Sequence, residues 1–255
     1  MAMLAMDRRS IILERIQQTS SVRVTELAEE FEVTEETIRR DLEKLESEGF
    51  VTRTYGGAVL VQNNTSDLSI HVRETQNQEG KRRIARKVVE MIEDGDTLMV
   101  DSSTTAMYVA KNLKGRSNIT MITNSVRIPQ EVAAQDSMKI IVTGGVLRPG
   151  IMSMVGAITE ETLDRYYVNK AIIGCKALDP ELGTFEPHEQ ESVIKRKMRK
   201  NATTVILVAD HTKFGKKSFI RTLRTEEIDI LITDEPLENE VERSMKARGI
   251  RVIYA

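Results

Sequence analysis

The sequence predicts an α/β protein in two parts: a small unit of three helices and a hairpin, then a larger domain whose mostly parallel sheet is flanked by helices. Three observations predict it. The first 60 residues carry three short helical periodicities followed by two β-rich runs around a glycine pair. The stretch Gln62-Asn63-Asn64-Thr65-Ser66-Asp67 is polar and aperiodic, which marks a linker placed at residues 62–73. From residue 74 helical and strand patterns alternate to residue 255.

In the first part, apolar Ile11, Ile12, Leu13 and Ile16 recur at helical spacing from Asp7, a candidate N-cap, to about Gln18. Leu27, Ala28 and Phe31 repeat the pattern over Thr25–Phe31. Thr34 can cap a third helix that runs through Ser47 and stops at Gly49. Phe50–Tyr55 and Ala58–Val61 then flank Gly56-Gly57, a hairpin signal. Helix, helix, helix, hairpin is the outline of a winged helix-turn-helix over residues 1–61. In the second part, residues 74–255, helices at 80–93, 104–113, 126–135 and 189–201 alternate with strands at 97–100, 119–122, 139–142, 170–173, 203–208 and 228–233. A last helix and strand close the chain.

Composition narrows the function less than it narrows the fold. With 40% hydrophobic and 30% charged residues the chain can bury a core and is not disordered. Its longest apolar runs, such as Val205–Ala209, fall far short of the ~20 residues a membrane span needs. The N-terminus does not read as a secretory signal, so a cytoplasmic location is expected. The single cysteine, Cys175, and the scattered His71, His188 and His211 argue against a disulfide or a metal site, and no cofactor is expected. Net charge is −2, and residues 1–60 hold eight Lys or Arg against twelve Asp or Glu, a local charge of −4. Any binding of nucleic acid must therefore rest on where the basic residues sit.

They sit on one helix face. In Thr34-Glu35-Glu36-Thr37-Ile38-Arg39-Arg40-Asp41-Leu42, the residues Ile38, Leu42 and Leu45 make an apolar stripe. Thr37, Arg40 and Lys44 then share another face, with Arg39 beside them. A helix of this kind fits the major groove, where Arg reads guanine and the Thr methyl touches thymine. Arg53 and Tyr55 lie near the glycine turn of the wing. By themselves Arg39 and Arg40 would serve equally well as solvated partners of Glu35, Glu36 and Glu43. Asp41 reads as structural, holding a neighbouring Arg.

The second part carries hydroxyls, glycines and cations just after its strands. Asp101-Ser102-Ser103-Thr104-Thr105 opens a helix after the strand 97–100, a place where free amides receive phosphate or where Ser and Thr simply cap. Thr143-Gly144-Gly145-Val146-Leu147-Arg148 and Asp210-His211-Thr212-Lys213 follow two further strands. In parallel sheets ligands gather at those ends.

Taken together these residues resemble the DeoR family of bacterial transcriptional regulators. Arg8, Ile12 and Ile16, then Thr34, Thr37, Ile38, Arg39, Arg40, Asp41 and Leu42, match the spacing of its helix-turn-helix signature, and Arg53–Val59 is similar to its wing. The resemblance runs from about Asp7 to Asp234, with further matches at Lys81-Arg82, Thr123-Asn124-Ser125, Gly174 and Lys195-Arg196. It implies a domain similar in fold to ribose-5-phosphate isomerase that senses a phosphorylated sugar. It also implies a repressor of a carbohydrate-metabolism operon that binds double-stranded operator DNA, and because a DNA-binding unit of net negative charge should hold one half-site weakly, a dimer or tetramer on paired half-sites is expected. Thr34, Thr37, Arg39, Arg40, Lys44, Arg53 and Tyr55 would then contact DNA. Asp101, Ser103, Thr104, Thr105, Asn124, Gly144, Gly145, Arg148, Lys176, Glu191 and Lys213 would hold the effector. The chain departs from the family at Ser103, where many members have Gly, and at Cys175-Lys176.

The alternative is a sugar-phosphate isomerase joined to a DNA-binding domain. Aldose–ketose isomerisation needs a carboxylate base and a second acid. Where the isomerases carry an Asp-Gly-Ala-Asp-Glu type segment, this chain has Ile173-Gly174-Cys175-Lys176-Ala177. Only Glu191 and Asp179 remain as nearby carboxylates, so the expectation is a sensor with no catalytic residues.

Overall fold

The computed structural model describes residues 5–19, 21–47, 50–60, 70–133 and 137–255. It divides into two compact units between Ser69 and Ile70. Of the linker expected at 62–73, residues 62–69 lie outside the described residues, and the rest belongs to a helix at Ile70–Thr75.

The first unit contains α1 (Ala5–Thr19), β1 (Ser21–Arg23), α2 (Val24–Glu30), α3 (Glu35–Ser47), β2 (Val51–Thr54) and β3 (Gly57–Leu60). Its helical stripes meet in one core, with Ile12, Ile16, Leu27, Ile38, Leu42 and Leu45 all buried. One expected helix boundary changes. Helix α1 starts at Ala5, so Asp7 is not a cap but lies in the first turn, where its carboxylate favours the positive helix end. The Gly49 stop lies outside the described residues. Thr34 keeps its expected role, because its Oγ1 accepts the Thr37 amide at 3.3 Å. The glycine pair divides its work. Gly56, at φ +92°, makes the turn with Tyr55. Gly57 opens β3, where a Cβ would stand 2.0 Å from the Val22 carbonyl oxygen. That close approach exists because β3 lies between β1 and β2, and β1 is too short for its alternation to show in sequence.

The second unit begins with α4 (Ile70–Thr75), α5 (Gln78–Val89), β4 (Thr97–Val100), α6 (Thr104–Asn112), β5 (Ile119–Thr123), α7 (Arg127–Val132) and β6 (Met138–Val142). It continues with β7 (Val146–Arg148), β8 (Ser153–Val155), α8 (Ala157–Asp164), β9 (Val168–Gly174), β10 (Ala177–Asp179), β11 (Gly183–Glu186) and α9 (Glu189–Lys200). It ends with β12 (Ala202–Val208), β13 (Ile220–Arg221), β14 (Ile230–Thr233), α10 (Asn239–Ala247) and β15 (Arg251–Tyr254). Seven strands form one parallel sheet in the order β15-β14-β12-β9-β4-β5-β6. Successive strand residues feed opposite cores. Leu98, Val100, Ile172 and Ile206 pack with α5 and α6, while Met99, Ala171, Ile173 and Val205 pack with α8 and α9. A sheet covered on both faces needs unbroken apolar strands, which is why its long strands are legible. Strand order reverses between β4 and β9, where Asp101 and Gly174 leave the sheet, the kind of position at which open parallel sheets hold ligands. Among the described residues no helix is long and apolar enough to cross a membrane.

Candidate nucleic-acid interface and effector site

Helix α3 buries Ile38, Asp41, Leu42 and Leu45 and turns Thr34, Arg39, Arg40 and Lys44 to solvent, with Thr37 half-buried. The Thr34 and Thr37 hydroxyls lie 3.0 Å apart at its first turn. Asp41 accepts Arg8 Nε of α1 at 2.6 Å, and both side chains are almost wholly buried. This pair locks the exposed helix onto its support, and removing one partner of such a pair costs about 3–5 kcal/mol. The wing is tied to α3 in the same manner: Glu46 accepts the Arg53 amide at 2.8 Å and its guanidinium at 2.7 Å. Tyr55 stands fully exposed at the wing turn. Three of the expected DNA contacts thus hold acidic partners: Arg39 on Glu35 at 2.9 Å, Arg40 on Glu36 at 3.4 Å, and Arg53 on Glu46. Exposed pairs of this kind contribute only about 0–1 kcal/mol. Giving up one such carboxylate for a stronger contact therefore costs little.

At the strand ends of the second unit the expected effector residues fall into three groups. In the first, Asp101 accepts the amides of Ser103 at 3.0 Å and Gly174 at 2.9 Å, and lies 3.3 Å from the buried Lys195 ammonium. Lys195 also donates to the Gly174 carbonyl at 2.9 Å and to Glu186. A Cβ on Gly174 would stand 2.4 Å from Ser103 Oγ, so only glycine lets β9 approach the loop after β4. Ser103 caps α6 by accepting the Ala106 amide. Asp101 is thereby a positioning residue that shapes the loop.

The second group joins β7, β8 and α9. Glu191 accepts Arg148 Nη1 at 2.9 Å and the Ser153 hydroxyl on one oxygen. Nearby, Asn124 is fully buried; its amide nitrogen donates to the Met154 carbonyl at 3.1 Å and its Oδ1 has no partner. Gly144 and Gly145 have φ of +70° and +117°, and Thr159 donates to the Gly144 carbonyl at 2.6 Å. Lys176 is half-buried, with its amide on the Phe185 carbonyl.

The third group is cationic. Lys81, 2% exposed, donates to the carbonyls of Arg73 and Gln76. Thr104 Oγ1 donates to the same Arg73 carbonyl at 3.4 Å. Thr105 is buried beside it. Lys213 lies 4.0 Å from Asp210. Burial, and after it the Lys213 charge, push the Lys81 ammonium down to about 8. The unfolded chain keeps that proton to about 10.4, so the folded state binds fewer protons between the two values. Stability should therefore rise with pH across that window. Urea unfolding at about pH 7.5 and about pH 9.5 should show a gain on the order of 2 kcal/mol that Lys81→Met lacks. An equal gain in that variant would assign it to other groups.

Glu186, Ser153 and Arg73 carry no role in the sequence reading, where Lys195 enters only as a family match together with Arg196. The one visible sign is a charge inside an apolar helix stripe, as Lys195 stands beside the buried Ile194. Asp179 turns to its own loop, accepting the amides of Glu181 and Leu182 at 3.0 Å each. Burial pushes the Cys175 thiol up to about 12, so it is an unreactive packing group.

A winged helix that presents cations to solvent, in one chain with a parallel sheet bearing hydroxyls, amides and cations at its strand ends, defines a DNA-binding protein with a ligand-sensing domain. The chain belongs to the DeoR family. The DeoR-like helix-turn-helix domain matches residues 8–64, and the DeoR C terminal sensor domain matches residues 76–235. It is a DNA-binding transcriptional regulator of that family. It is 36% identical to the uncharacterized HTH-type transcriptional regulator YulB of Bacillus subtilis, over 98% of this chain and 96% of that one. It is 33% identical to the glycerol-3-phosphate regulon repressor of Escherichia coli, over 90% of each chain. It is 35% identical to the transcriptional repressor GlcR of Bacillus subtilis, over 89% and 88%. Among solved structures, ribose 5-phosphate isomerase A of Methanocaldococcus jannaschii aligns over 55% of each chain with a TM-score of 0.41 and 16% identity.

Proposed function

We propose that this regulator represses a carbohydrate-metabolism operon and is controlled by a phosphorylated sugar. The observation that carries the reading is the third group: the buried Thr104 and Thr105 at the start of α6, with Lys81 and Lys213 near one another beside them. Thr104, Thr105 and Lys213 receive the phosphate. Asn124, Arg148 and Glu191, with the Gly144-Gly145 loop, meet the sugar hydroxyls, and Lys176 lies at the rim. Relatives named for a glycerol-3-phosphate regulon support an effector of this chemistry.

On the DNA side, Thr34, Thr37, Arg39, Arg40 and Lys44 enter the major groove, and Arg53 and Tyr55 lie on the backbone. A recognition unit with a local charge of −4 holds a single half-site weakly, so the protein works as a homo-oligomer on paired half-sites, in the cytoplasm. Effector and operator are then coupled by ~1–3 kcal/mol.

The isomerase alternative loses ground at the carboxylates. Asp101 and Glu186 are committed to Lys195, and Glu191 to Arg148 and Ser153, so each carboxyl is already engaged by a neighbouring cation or hydroxyl instead of facing a substrate carbon. Fluorescence anisotropy on DNA upstream of the protein's own operon, at fixed salt, with a panel of sugar phosphates, tests the whole reading. One compound should reverse tight binding. Lys213→Ala should then keep its DNA affinity and lose the response; an unchanged response would move the phosphate elsewhere.

A further inference from the structure

We propose that Arg73 is a ligand of the effector phosphate and that α4, which carries it, is the element whose contacts are exchanged when the site fills. This assignment rests on the phosphate-sensor reading above. The guanidinium carries it: Arg73 Nε and one terminal nitrogen are buried and have no hydrogen-bond partner. The adjacent carboxylate does not serve it, because Glu74 is held by Arg127 at 2.7 Å and by Lys111 at 3.7 Å. The charges gathered near Lys81 include Arg73 and Lys213, against Asp210 and Glu74; Asp210 accepts the amide and hydroxyl of Thr212 on one oxygen and faces Lys213 at 4.0 Å with the other. An unpaired guanidinium beside two ammonium groups is completed by a phosphate, whose oxygens accept its planar fork two at a time.

The backbone of the same residue supplies the coupling. The Arg73 carbonyl accepts from Lys81 and from Thr104, both donors that a phosphate at the start of α6 would claim. Filling the site therefore exchanges the contacts that hold α4: its carbonyl loses donors while its guanidinium gains an acceptor. Helix α4 opens the second unit and directly follows the residues that join it to the first.

The test uses the full chain and inorganic phosphate as probe, with thermal unfolding and a phosphorus NMR titration of the parent, Arg73→Gln, Arg73→Lys and Lys213→Ala. Because the two buried nitrogens make no bond, Arg73→Gln should melt no lower than the parent without phosphate. Its phosphate affinity should fall about tenfold or more, and Arg73→Lys should recover part of that loss. A phosphate affinity equal to the parent's in Arg73→Gln, with Lys213→Ala weakened, overturns the role of Arg73 and leaves the sensor reading standing. A lower melting temperature in Arg73→Gln with affinity intact makes Arg73 a structural residue and also overturns it. Absence of phosphate binding by the parent overturns both.

Discussion

Arg40→Ala should weaken operator binding by about 5- to 150-fold, the cost of losing one good side-chain contact to a base edge. The residue is suited to this because it is exposed on α3 and its only described partner, Glu36, is itself exposed and 3.4 Å away. Nothing in the core depends on it, so the variant should melt like the parent and bind effector as before. The loss should be greatest on the true operator and small on random DNA, since a base contact is absent there. Anisotropy on both DNAs reads the difference. Equal operator affinity in the variant would remove α3 from the major groove.

Lys195→Met should destabilise the second unit by about 3–5 kcal/mol in urea unfolding at neutral pH. The variant leaves Asp101 and Glu186, both buried, without the cation they share. Burial alone would lower the Lys195 proton affinity, yet Glu186 and Asp101 raise it well above the ordinary lysine range, a sign of how closely they bind the charge. Without the ammonium, the buried carboxylates gain by taking up protons. The deficit should shrink as pH falls toward about 5. A loss below about 1 kcal/mol would mean that water reaches the network and solvates it.

What was legible in the sequence follows from length and from repetition. The strands β4, β9 and β12 announce themselves because burial on both faces makes the later part of each an unbroken apolar run, Leu98–Val100, Ala171–Ile173 and Val205–Val208, and α3 does because its stripe recurs over three turns. The hairpin of β7 and β8 and the small sheet of β10, β11 and β13 have strands of two to four residues, too short for any period to register. Helix α4 sits next to a polar stretch and lacks the length that would set it apart. The same limit governs the site. Ser103 and Thr104 are visible because they open a helix directly after a strand. The partnership of Asp101 with Lys195 is made by the strand-order reversal between β4 and β9, which no local pattern contains. Arg73 is hidden for a further reason: what marks it is an absence of partners, and that is a property of packing.

The Arg–Glu pairs on α3 bear on how a regulator finds one address in a genome. DNA of random sequence offers little beyond phosphate, and a recognition unit with a local charge of −4 meets it with its arginines already engaged by Glu35, Glu36 and Glu46. Adhesion to the millions of wrong sites is kept low, so fewer molecules are sequestered along the chromosome. In the proposed binding mode the base edges of the operator supply what phosphate does not, and the glutamates give way. Acidic neighbours of this kind weaken every encounter a little and the wrong ones most, which lets a scarce regulator keep a single promoter occupied.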